Sequence, residues 1–541
     1  MKGMPVKFLL AGSCLSAVLI AASPAAPSSD SVVAVNRIVD AAFNHGEVVD
    51  IAAYLADQIG GRMTNSPAMR RAERWTQDKF KSWGLKDVRT EAFDFGRGWW
   101  IESAHVRMTV PRPLELHGIP IAWTPATNGA LSGAVIVAPI ASDKDFADWQ
   151  GKLSGKIVLV SWPGPPKDDG DAPFQRLSDA DIAKLDRYQE PVFDPEARQK
   201  RIERYRLRIK IDSFLAAEGA LAWVQMSRTE GRLVHGEGVG FRVGKTPKLP
   251  GLELAAEDYR RLARLAKLGD VRIEIDSRVH YEDADHNAYN VLADIPGSDA
   301  KAGYVMAGAH LDSWVAADGA ADNGAGSAVV MEAARILSSL GVQPRRTIRF
   351  ALWSGEEQGL IGSAAYVEKH LARRPTTDPE LADLPVSFSL DAYPIQTLPG
   401  FADMIAYFNI DNGSGKIRGI YTEGNLAVVP IFREWLAPFA SMGAGAVVAE
   451  PTESTDHVFL SRLGLPAFQF IQDPLDYETR VHHTDLDTFD HLRPEDLRQA
   501  AAVLAGVLVD AANSDRPLPR KVLPSQPRVS DPFHYPDPAK K

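Results

Sequence analysis

The sequence predicts an α/β fold: a mostly parallel sheet flanked by helices, with a second, β-rich part inserted into it. Two apolar, strand-like runs, Tyr304–Ala309 and Thr347–Trp353, each end at polar residues. Between them, from Gly324 to Gly341, apolar residues recur at helical spacing. A strand, a helix and a second strand in this order are typical of parallel α/β sheets, which bind ligands at the carboxyl ends of their strands.

Size and composition are consistent with a globular protein of this kind. With 541 residues, the chain is too long for one compact core, so we expect two domains with appendages. Hydrophobic residues make up 45% and charged residues 24% of the chain. The formal net charge of −10 gives no electrostatic reason to expect a nucleic-acid partner. Cys14 is the single cysteine, so no intrachain disulfide can form.

Residues 1–26 have the pattern of a secretory signal peptide. Two lysines precede an apolar run from Phe8 to Ala22, and small residues follow it. The run is too short to span a membrane with a stop-transfer flank. We therefore expect a secreted or periplasmic protein with no stable membrane span after signal removal. A lipoprotein anchor is not expected, because the apolar run continues past Cys14.

The larger domain begins after the signal, with a first part at residues 32–113. Val32–Ile59 carries helical apolar spacing, and Ala68–Trp83 is a second amphipathic helix candidate that ends at Gly84. Val88–Phe95 alternates between apolar and polar residues, as a half-buried strand does. This part therefore predicts two helical segments followed by a strand.

Residues 114–282 form the predicted insertion. Short β-rich pieces such as Gly129–Ala138 and Trp149–Val160 are separated there by glycine-containing turns. An extra segment at residues 165–212 interrupts this part and contains a strongly basic helix over Glu196–Lys210. That helix presents either a solvated face, which is the simpler interpretation, or an anion-binding or dimer-contact arm.

The α/β pattern returns from residue 283 to residue 514. Three further strands and a closing helix are predicted at Asn290–Pro296, Met404–Ile410, Pro466–Ile471 and Pro494–Ala512. Residues 515–541 are rich in proline and charge, so we predict an irregular or disordered tail.

Polar side chains of the metal-binding type follow the strands of the predicted sheet. They are His310, Asp322, Glu356, Glu357, Asp411 and His483. Zinc takes imidazole and carboxylate ligands, and a hydrolase with two metal ions needs one bridging carboxylate and another, free of metal, as general base. His310 and Asp312 share one face of an extended strand, so the Asp312 carboxylate can hold the imidazole in place.

The order and spacing of these residues resemble those of the M28 family of co-catalytic zinc exopeptidases, over roughly residues 36–110 and 283–512. This resemblance implies the zinc-exopeptidase, phosphorylase/hydrolase-like type of α/β fold. The part between them resembles the protease-associated domain, an insertion in several exopeptidase families that serves as a lid or partner surface without catalytic residues. Within M28, Phe408–Gly419 resembles the carboxypeptidase Q-like branch.

The resemblance implies two zinc ions per chain and a role for each ligand. His310 and Asp411 would bind one zinc ion, and Glu357 and His483 would bind the other. Asp322 would bridge both ions.

The resemblance also implies roles for residues that do not bind zinc. Glu356 would be the general base, and Asp312 would orient the first histidine. His483 is favoured over His482 as the zinc ligand, because the family pattern places that ligand directly before Thr or Ser. His457 lies where the family often carries a Ser-Asp-His group near the substrate, so it either contacts substrate or is a structural histidine.

The function that the resemblance implies is release of single residues from the free amino end of peptides, including dipeptides. Carboxypeptidase or dipeptidase action is the alternative, since the branch resembled carries that name. Glutaminyl cyclases share the fold but usually work with one zinc ion and altered ligands, and receptor-like relatives lack some ligands. The full ligand set here argues against both. The expected partner is a peptide substrate, and the branch resemblance suggests a homodimer.

Overall fold

The computed structural model describes residues 29–166, 172–189, 195–375, 378–390 and 392–524. The predicted signal peptide and residues 525–541 of the predicted tail lie outside the described residues. The described chain contains two eight-stranded sheets with helices packed on them, which confirms the α/β class. Within the described ranges, no helix is both long and apolar enough to cross a membrane.

The N-terminal part supplies helices and an edge strand to the larger domain. Its elements are α1 (Ser29–Asn44), α2 (Val48–Ala53), α3 (Pro67–Ser82) and β1 (Lys86–Asp94). The helical segment predicted up to Ile59 is divided into α1, α2 and a π-helical turn, with Gly46 between α1 and α2. At the start of α3, Ser66 accepts a hydrogen bond from the Met69 N–H at 3.1 Å, an N-cap that fixes this helix start.

The second sheet contains the predicted insertion. Its strands are β2 (Gly98–Val110), β3 (Leu114–Glu115), β4 (Gly118–Pro120), β5 (Leu131–Val137), β6 (Lys156–Leu159), β7 (Ala222–Met226), β8 (Gly251–Leu254) and β9 (Arg272–Glu282). They are arranged in the order β3-β2-β9-β5-β6-β7-β8-β4. Because β2 pairs with β9 along its length, the sheet begins at Gly98, before the predicted boundary at residue 114.

The described residues between β5 and β9 contain four helices: α4 (Phe146–Trp149), α5 (Asp179–Leu185), α6 (Pro195–Ala217) and α7 (Ala256–Ala266). Of these, α5 contacts the first sheet instead of the second. Helix α6 contains the predicted basic helix and extends beyond it, so that its C-terminal part buries Leu215 against the second sheet. Its N-terminal part buries Ile202 against Leu381, Leu384 and Phe388 of the larger domain. Helix α6 therefore connects the two parts of the molecule.

The first sheet belongs to the larger domain. Its remaining strands are β10 (Asn287–Ile295), β11 (Tyr304–His310), β12 (Thr347–Trp353), β15 (Met404–Asn409), β16 (Ile417–Tyr421), β17 (Ala446–Val448) and β18 (Ala467–Gln472), and a separate small sheet pairs β13 (Ala372–Arg373) with β14 (Gln396–Thr397). The order is β1-β10-β12-β11-β15-β18-β16-β17. The four central strands, β12, β11, β15 and β18, run parallel, as the sequence predicts.

Helices cover both faces of this sheet. They are α8 (Ala325–Ser339), α9 (Ile361–His370), α10 (Gly400–Asp403), α11 (Val429–Leu436), α12 (Val458–Ser461) and α13 (Pro494–Asn513). Val305 packs in one core with α8 and α13, whereas its neighbour Met306 packs in the other core with α9 and α12. Since the central strands are parallel, their carboxyl ends meet at one edge of the sheet.

Candidate metal centre

His310 is the last residue of β11 and is almost completely buried. Its Nδ1 lies 2.9 Å from the main-chain carbonyl oxygen of Asp312. Its Nε2 lies 3.2 Å from Oδ1 of Asp322 and 3.2 Å from Oδ1 of Asp411. The strand end therefore aims one ring nitrogen at two carboxylates and anchors the other on the backbone.

Asp322 lies at the centre of the site, in the turn before α8. Its Oδ1 lies 3.2 Å from Nε2 of His310, and its Oδ2 lies 3.2 Å from Nε2 of His483. Its backbone position is fixed by the Asp487 carboxylate, which accepts hydrogen bonds from the N–H groups of Ala321 at 2.6 Å and Asp322 at 3.0 Å. One carboxylate oxygen for each imidazole is the arrangement that a bridging carboxylate requires.

Glu357 and His483 form the second half of the site. Oε2 of Glu357, which follows β12, lies 3.1 Å from Nε2 of His483. His482 is the more distant of the two adjacent histidines, with its Nε2 3.7 Å from Oδ2 of Asp322. The geometry therefore supports His483 as the better placed of the two, although both histidines come close to Asp322.

These side chains fit metal ions. Ligand atoms of His310, Asp322 and Asp411 all lie within 4.8 Å of one another, and those of Asp322, His482 and His483 do the same, so two donor sets share Asp322. Oε1 of Glu357 is buried and has no hydrogen-bond partner within the described chain. Buried carboxylate oxygens without a donor are costly, and a divalent cation would satisfy them.

Asp312 orients His310 by a different group from the one predicted. Its carboxylate oxygen is 3.8 Å from Nδ1 of His310, whereas its carbonyl oxygen is in hydrogen-bond range. The carboxylate instead accepts hydrogen bonds from the Thr64 hydroxyl at 3.0 Å and from the N–H groups of Glu356 and Glu357, each at 3.3 Å. Asp312 thus positions both the histidine and the Glu-Glu turn.

Glu356 lies beside the donor sets and belongs to neither of them. Its Oε2 is 4.0 Å from Nε2 of His310, and its side chain lines the open cleft above the cluster. Burial raises the pKa of Glu356 well above its ordinary value, and the nearby carboxylates of Asp411 and Asp456 add to the effect. It is the carboxylate of this cluster that is best placed to hold and release a proton.

Glu237 is a site residue that the sequence analysis missed. It lies in the second-sheet part, between β7 and β8, and its Oε1 is 2.7 Å from Nδ1 of His483. Gly238 lets this loop pack closely, because a Cβ there would meet the Ala122 carbonyl oxygen at 2.1 Å. In the sequence, Glu237 is marked only by its position between Gly236 and Gly238. That pattern is too common to identify a residue of a metal site.

The loop that carries His483 has further contacts with the second-sheet part. Asp485 lies 2.7 Å from Nε2 of His117 and accepts a hydrogen bond from the Val234 N–H at 3.0 Å. The insertion therefore holds the loop on which one of the candidate ligands depends.

His457 is placed away from the cleft. It is fully buried, and its Nε2 lies 3.1 Å from the Thr452 hydroxyl and 3.3 Å from Oε1 of Glu423. Its neighbours Thr455 and Val458 line the cleft, but His457 does not. The structure therefore does not bring its side chain to a position for substrate contact.

Residues 290–508 match the model of peptidase family M28. This part of the chain is an M28 peptidase domain. Both donor sets and Glu356 lie within this domain. The likeness of the inserted part to a protease-associated domain stays a prediction.

Curated relatives of this chain include carboxypeptidase Q. The protein from Bos taurus is 26% identical over 472 residues, which are 86% of each chain. The protein from Rattus norvegicus is 28% identical over 277 residues, 51% of this chain and 52% of the relative. The match thus spans about half the length of the rat protein.

Solved structures share the fold of this chain. A peptidase M28 precursor from Shewanella amazonensis has a TM-score of 0.63 at 24% identity, covering 92% of this chain and 99% of the other. BSAP, a zinc aminopeptidase from Bacillus subtilis, has a TM-score of 0.55 at 19% identity, covering 87% and 95%. The likeness to these structures therefore extends over most of the chain.

Proposed function

We propose that this protein is a secreted or periplasmic exopeptidase with two zinc ions that removes single residues from the amino end of peptides, including dipeptides. The observation that carries the proposal is the pair of donor sets that share Asp322, with Glu356 beside them and outside both. Relatives named as carboxypeptidase Q and a zinc aminopeptidase with the same fold support the reaction class.

The residues of the site have different roles in peptide hydrolysis. His310 and Asp411 would hold one zinc ion, Glu357 and His483 the other, and Asp322 both. When bound, two such ions supply Lewis-acid chemistry, which makes water more acidic and polarises a carbonyl group.

Glu356 supplies the proton transfer. The side chain of Glu356 lines the cleft, and its backbone N–H donates a hydrogen bond to the Asp312 carboxylate. The Glu356 carboxylate is therefore held at the edge of the ligand cluster. From there Glu356 accepts the proton of the attacking water and then donates it to the leaving amine.

The relatives also support a second candidate, carboxypeptidase or dipeptidase action, because bovine carboxypeptidase Q aligns with 86% of this chain. One short peptide, offered to the zinc-loaded protein in three forms, separates the candidates: free at both ends, blocked at the amino end and blocked at the carboxyl end. Loss of cleavage only with the amino end blocked supports an aminopeptidase. Loss only with the carboxyl end blocked supports a carboxypeptidase, and loss with either block supports a dipeptidase. No cleavage of any form contradicts the proposal.

The location rests on the signal-like segment at residues 1–26, which supports export from the cytoplasm. A homodimer is proposed only from the resemblance to the carboxypeptidase Q-like branch. Size-exclusion chromatography with light scattering on the mature protein would test it.

A further inference from the structure

Part of the basic helix α6 lines the cleft above the metal centre. The cleft has a volume of about 710 Å³, and its walls include both donor sets together with Arg198, Arg201 and Arg204. These three arginines follow one another at a spacing of three residues, so they lie along one side of the helix. A row of guanidinium groups therefore shares one cavity with the candidate catalytic residues.

Within the described ranges, two of these arginines lack a direct ion pair. Arg201 and Arg204 form no ion pair with any side chain of the described ranges, whereas Arg206 of the same helix is paired with Asp383 at 3.0 Å. Arg462, which also lines the cleft, is paired with Glu453 at 2.8 Å. Partial burial lowers the pKa of Arg201 and the like charge of Arg204 lowers it further, whereas the charge of Glu453 raises it from beyond ion-pair distance. Neighbouring cations that no carboxylate pairs directly favour the binding of an anion.

Arg198 and Arg201 are held in position by packing. The guanidinium carbon of Arg201 lies 4.4 Å from the centroid of the Phe388 ring, and Arg198 donates a hydrogen bond to the Phe388 carbonyl at 3.4 Å. Ile202, beside Arg201, is buried against the same Phe388. Stacking on an aromatic face leaves the N–H groups of a guanidinium free for a ligand.

We propose that Arg201 and Arg204, with Arg198 beside them, bind a carboxylate of the substrate, so that the enzyme selects short peptides with a carboxylate within reach of the cleft wall. The inference rests on the proposed exopeptidase function. The guanidinium fork matches a carboxylate with two parallel hydrogen bonds. Two sources fit this chemistry: the terminal carboxylate of a short peptide and the side chain of an acidic residue.

The test compares three dipeptides with the zinc-loaded full chain: Leu-Ala, its amide Leu-Ala-NH2, and Leu-Glu-NH2, which carries only a side-chain carboxylate. We expect the wild-type kcat/KM for at least one carboxylate-bearing substrate to exceed that for Leu-Ala-NH2 by about tenfold to a hundredfold. The double variant Arg201→Gln/Arg204→Gln should lose this preference, mainly through a higher KM, and should leave hydrolysis of Leu-Ala-NH2 within about twofold. Lys200→Gln, an exposed charge on the same helix that does not line the cleft, should leave all three values unchanged.

The pattern of loss identifies the source of the carboxylate. A preference for Leu-Ala that the double variant removes assigns the terminal carboxylate, and a preference for Leu-Glu-NH2 assigns an acidic side chain. Equal hydrolysis of all three by the wild type, or an equal loss for all three in the double variant, overturns the inference. Absence of hydrolysis by the wild type contradicts the proposed function instead.

A second measurement does not depend on the folding of the variant. Added salt screens exposed charges, so the wild-type KM for the preferred dipeptide should rise with NaCl concentration while that for Leu-Ala-NH2 stays nearly constant. Arg201→Lys/Arg204→Lys, which keeps the charge and loses the fork, should retain part of the preference. A KM that does not respond to salt, or a lysine variant no better than the glutamine variant, would contradict carboxylate binding by these side chains.

Discussion

The main-chain carbonyl oxygen of Asp312 lies 2.9 Å from Nδ1 of His310, while the carboxylate of Asp312 accepts hydrogen bonds from the N–H groups of Glu356 and Glu357. One residue thus fixes a candidate metal ligand through its backbone and the turn with the proposed general base through its side chain. Groups that orient metal ligands are commonly worth a factor of about 10–100 in metal affinity or activity.

Substitution of Asp312 should therefore lower turnover strongly and change the orientation of His310 little. We expect Asp312→Ala to lower kcat by roughly 10–100-fold, because the Glu-Glu turn loses its acceptor, and Asp312→Asn to lower it less. The His310 side chain keeps its backbone partner in both variants, so the zinc ion beside Asp411 should stay bound. Metal analysis beside steady-state kinetics checks this. Loss of zinc as complete as in His310→Ala would show that the carboxylate, and not the carbonyl, holds the imidazole.

Glu356→Gln should separate catalysis from metal binding. The amide keeps the size of the side chain but cannot accept the proton of water, so kcat should fall by about 10²–10⁴-fold. Zinc content should be unchanged, because the carboxylate of Glu356 lies 4.0 Å from Nε2 of His310, whereas those of Asp322 and Asp411 lie at 3.2 Å. Near wild-type turnover in this variant would remove Glu356 from the mechanism.

Asp322→Ala should have the opposite effect. Because both donor sets contain Asp322, the variant should lose both ions, whereas Asp411→Ala should lose only the ion beside His310. Zinc per chain, measured after gel filtration in metal-free buffer, distinguishes these outcomes. A full complement of zinc in Asp322→Ala would refute the shared carboxylate.

Local patterns in the sequence predict the parallel core of the fold and most of the site. The apolar runs ending near His310 and Trp353 are strands β11 and β12, and their neighbouring carboxyl ends explain how residues distant in sequence meet. Helix spacing before Leu340 likewise predicts α8. Such elements are read from period and length alone.

Contacts between the two parts of the chain could not be predicted in this way. Glu237 precedes His483 by 246 residues and is joined to it only after both parts have folded. The sequence of the basic helix predicts a solvated face, because most of its residues are charged. That Arg201 and Arg204 line the cleft follows only from the packing of the helix against Phe388 in the folded structure. His457 carries a catalytic-type side chain, yet the packing around Glu423 buries it.

Asp510 should make stability depend on pH. Burial raises the pKa of this carboxyl group in α13 to about 7, and the charge of Glu434 adds to the effect. Its pKa in the unfolded chain is about 4, so the folded state binds the proton more tightly, and stability falls as pH rises from about 4 to about 7.

The measurement is the urea midpoint of unfolding at about pH 5 and about pH 8. Asp510→Asn should show a smaller decrease between these values than the wild type, because the amide does not ionise. Asp515→Asn, at an exposed position beyond the same helix, is the control. A decrease of wild-type size in Asp510→Asn would assign the pH dependence to other groups.

Glu237→Gln should weaken the binding of the zinc ion at His483. The carboxylate at 2.7 Å from Nδ1 fixes the ring so that Nε2 faces Glu357 and Asp322, and its negative charge makes the imidazole a stronger ligand. Glutamine can still accept a hydrogen bond but lacks the charge, so we expect about a tenfold lower affinity for one of the two ions, measured by competition with a chelator.

Arg228→Gln is the matched control for Glu237. Arg228 donates a hydrogen bond to the same Oε1 at 2.7 Å but does not touch His483, so its loss should change zinc affinity much less than Glu237→Gln does. If the inserted part served only as a distant lid, neither variant would alter zinc affinity. A selective effect of Glu237→Gln would instead show that this part completes the metal centre, because its carboxylate orients a ligand that the M28 domain carries.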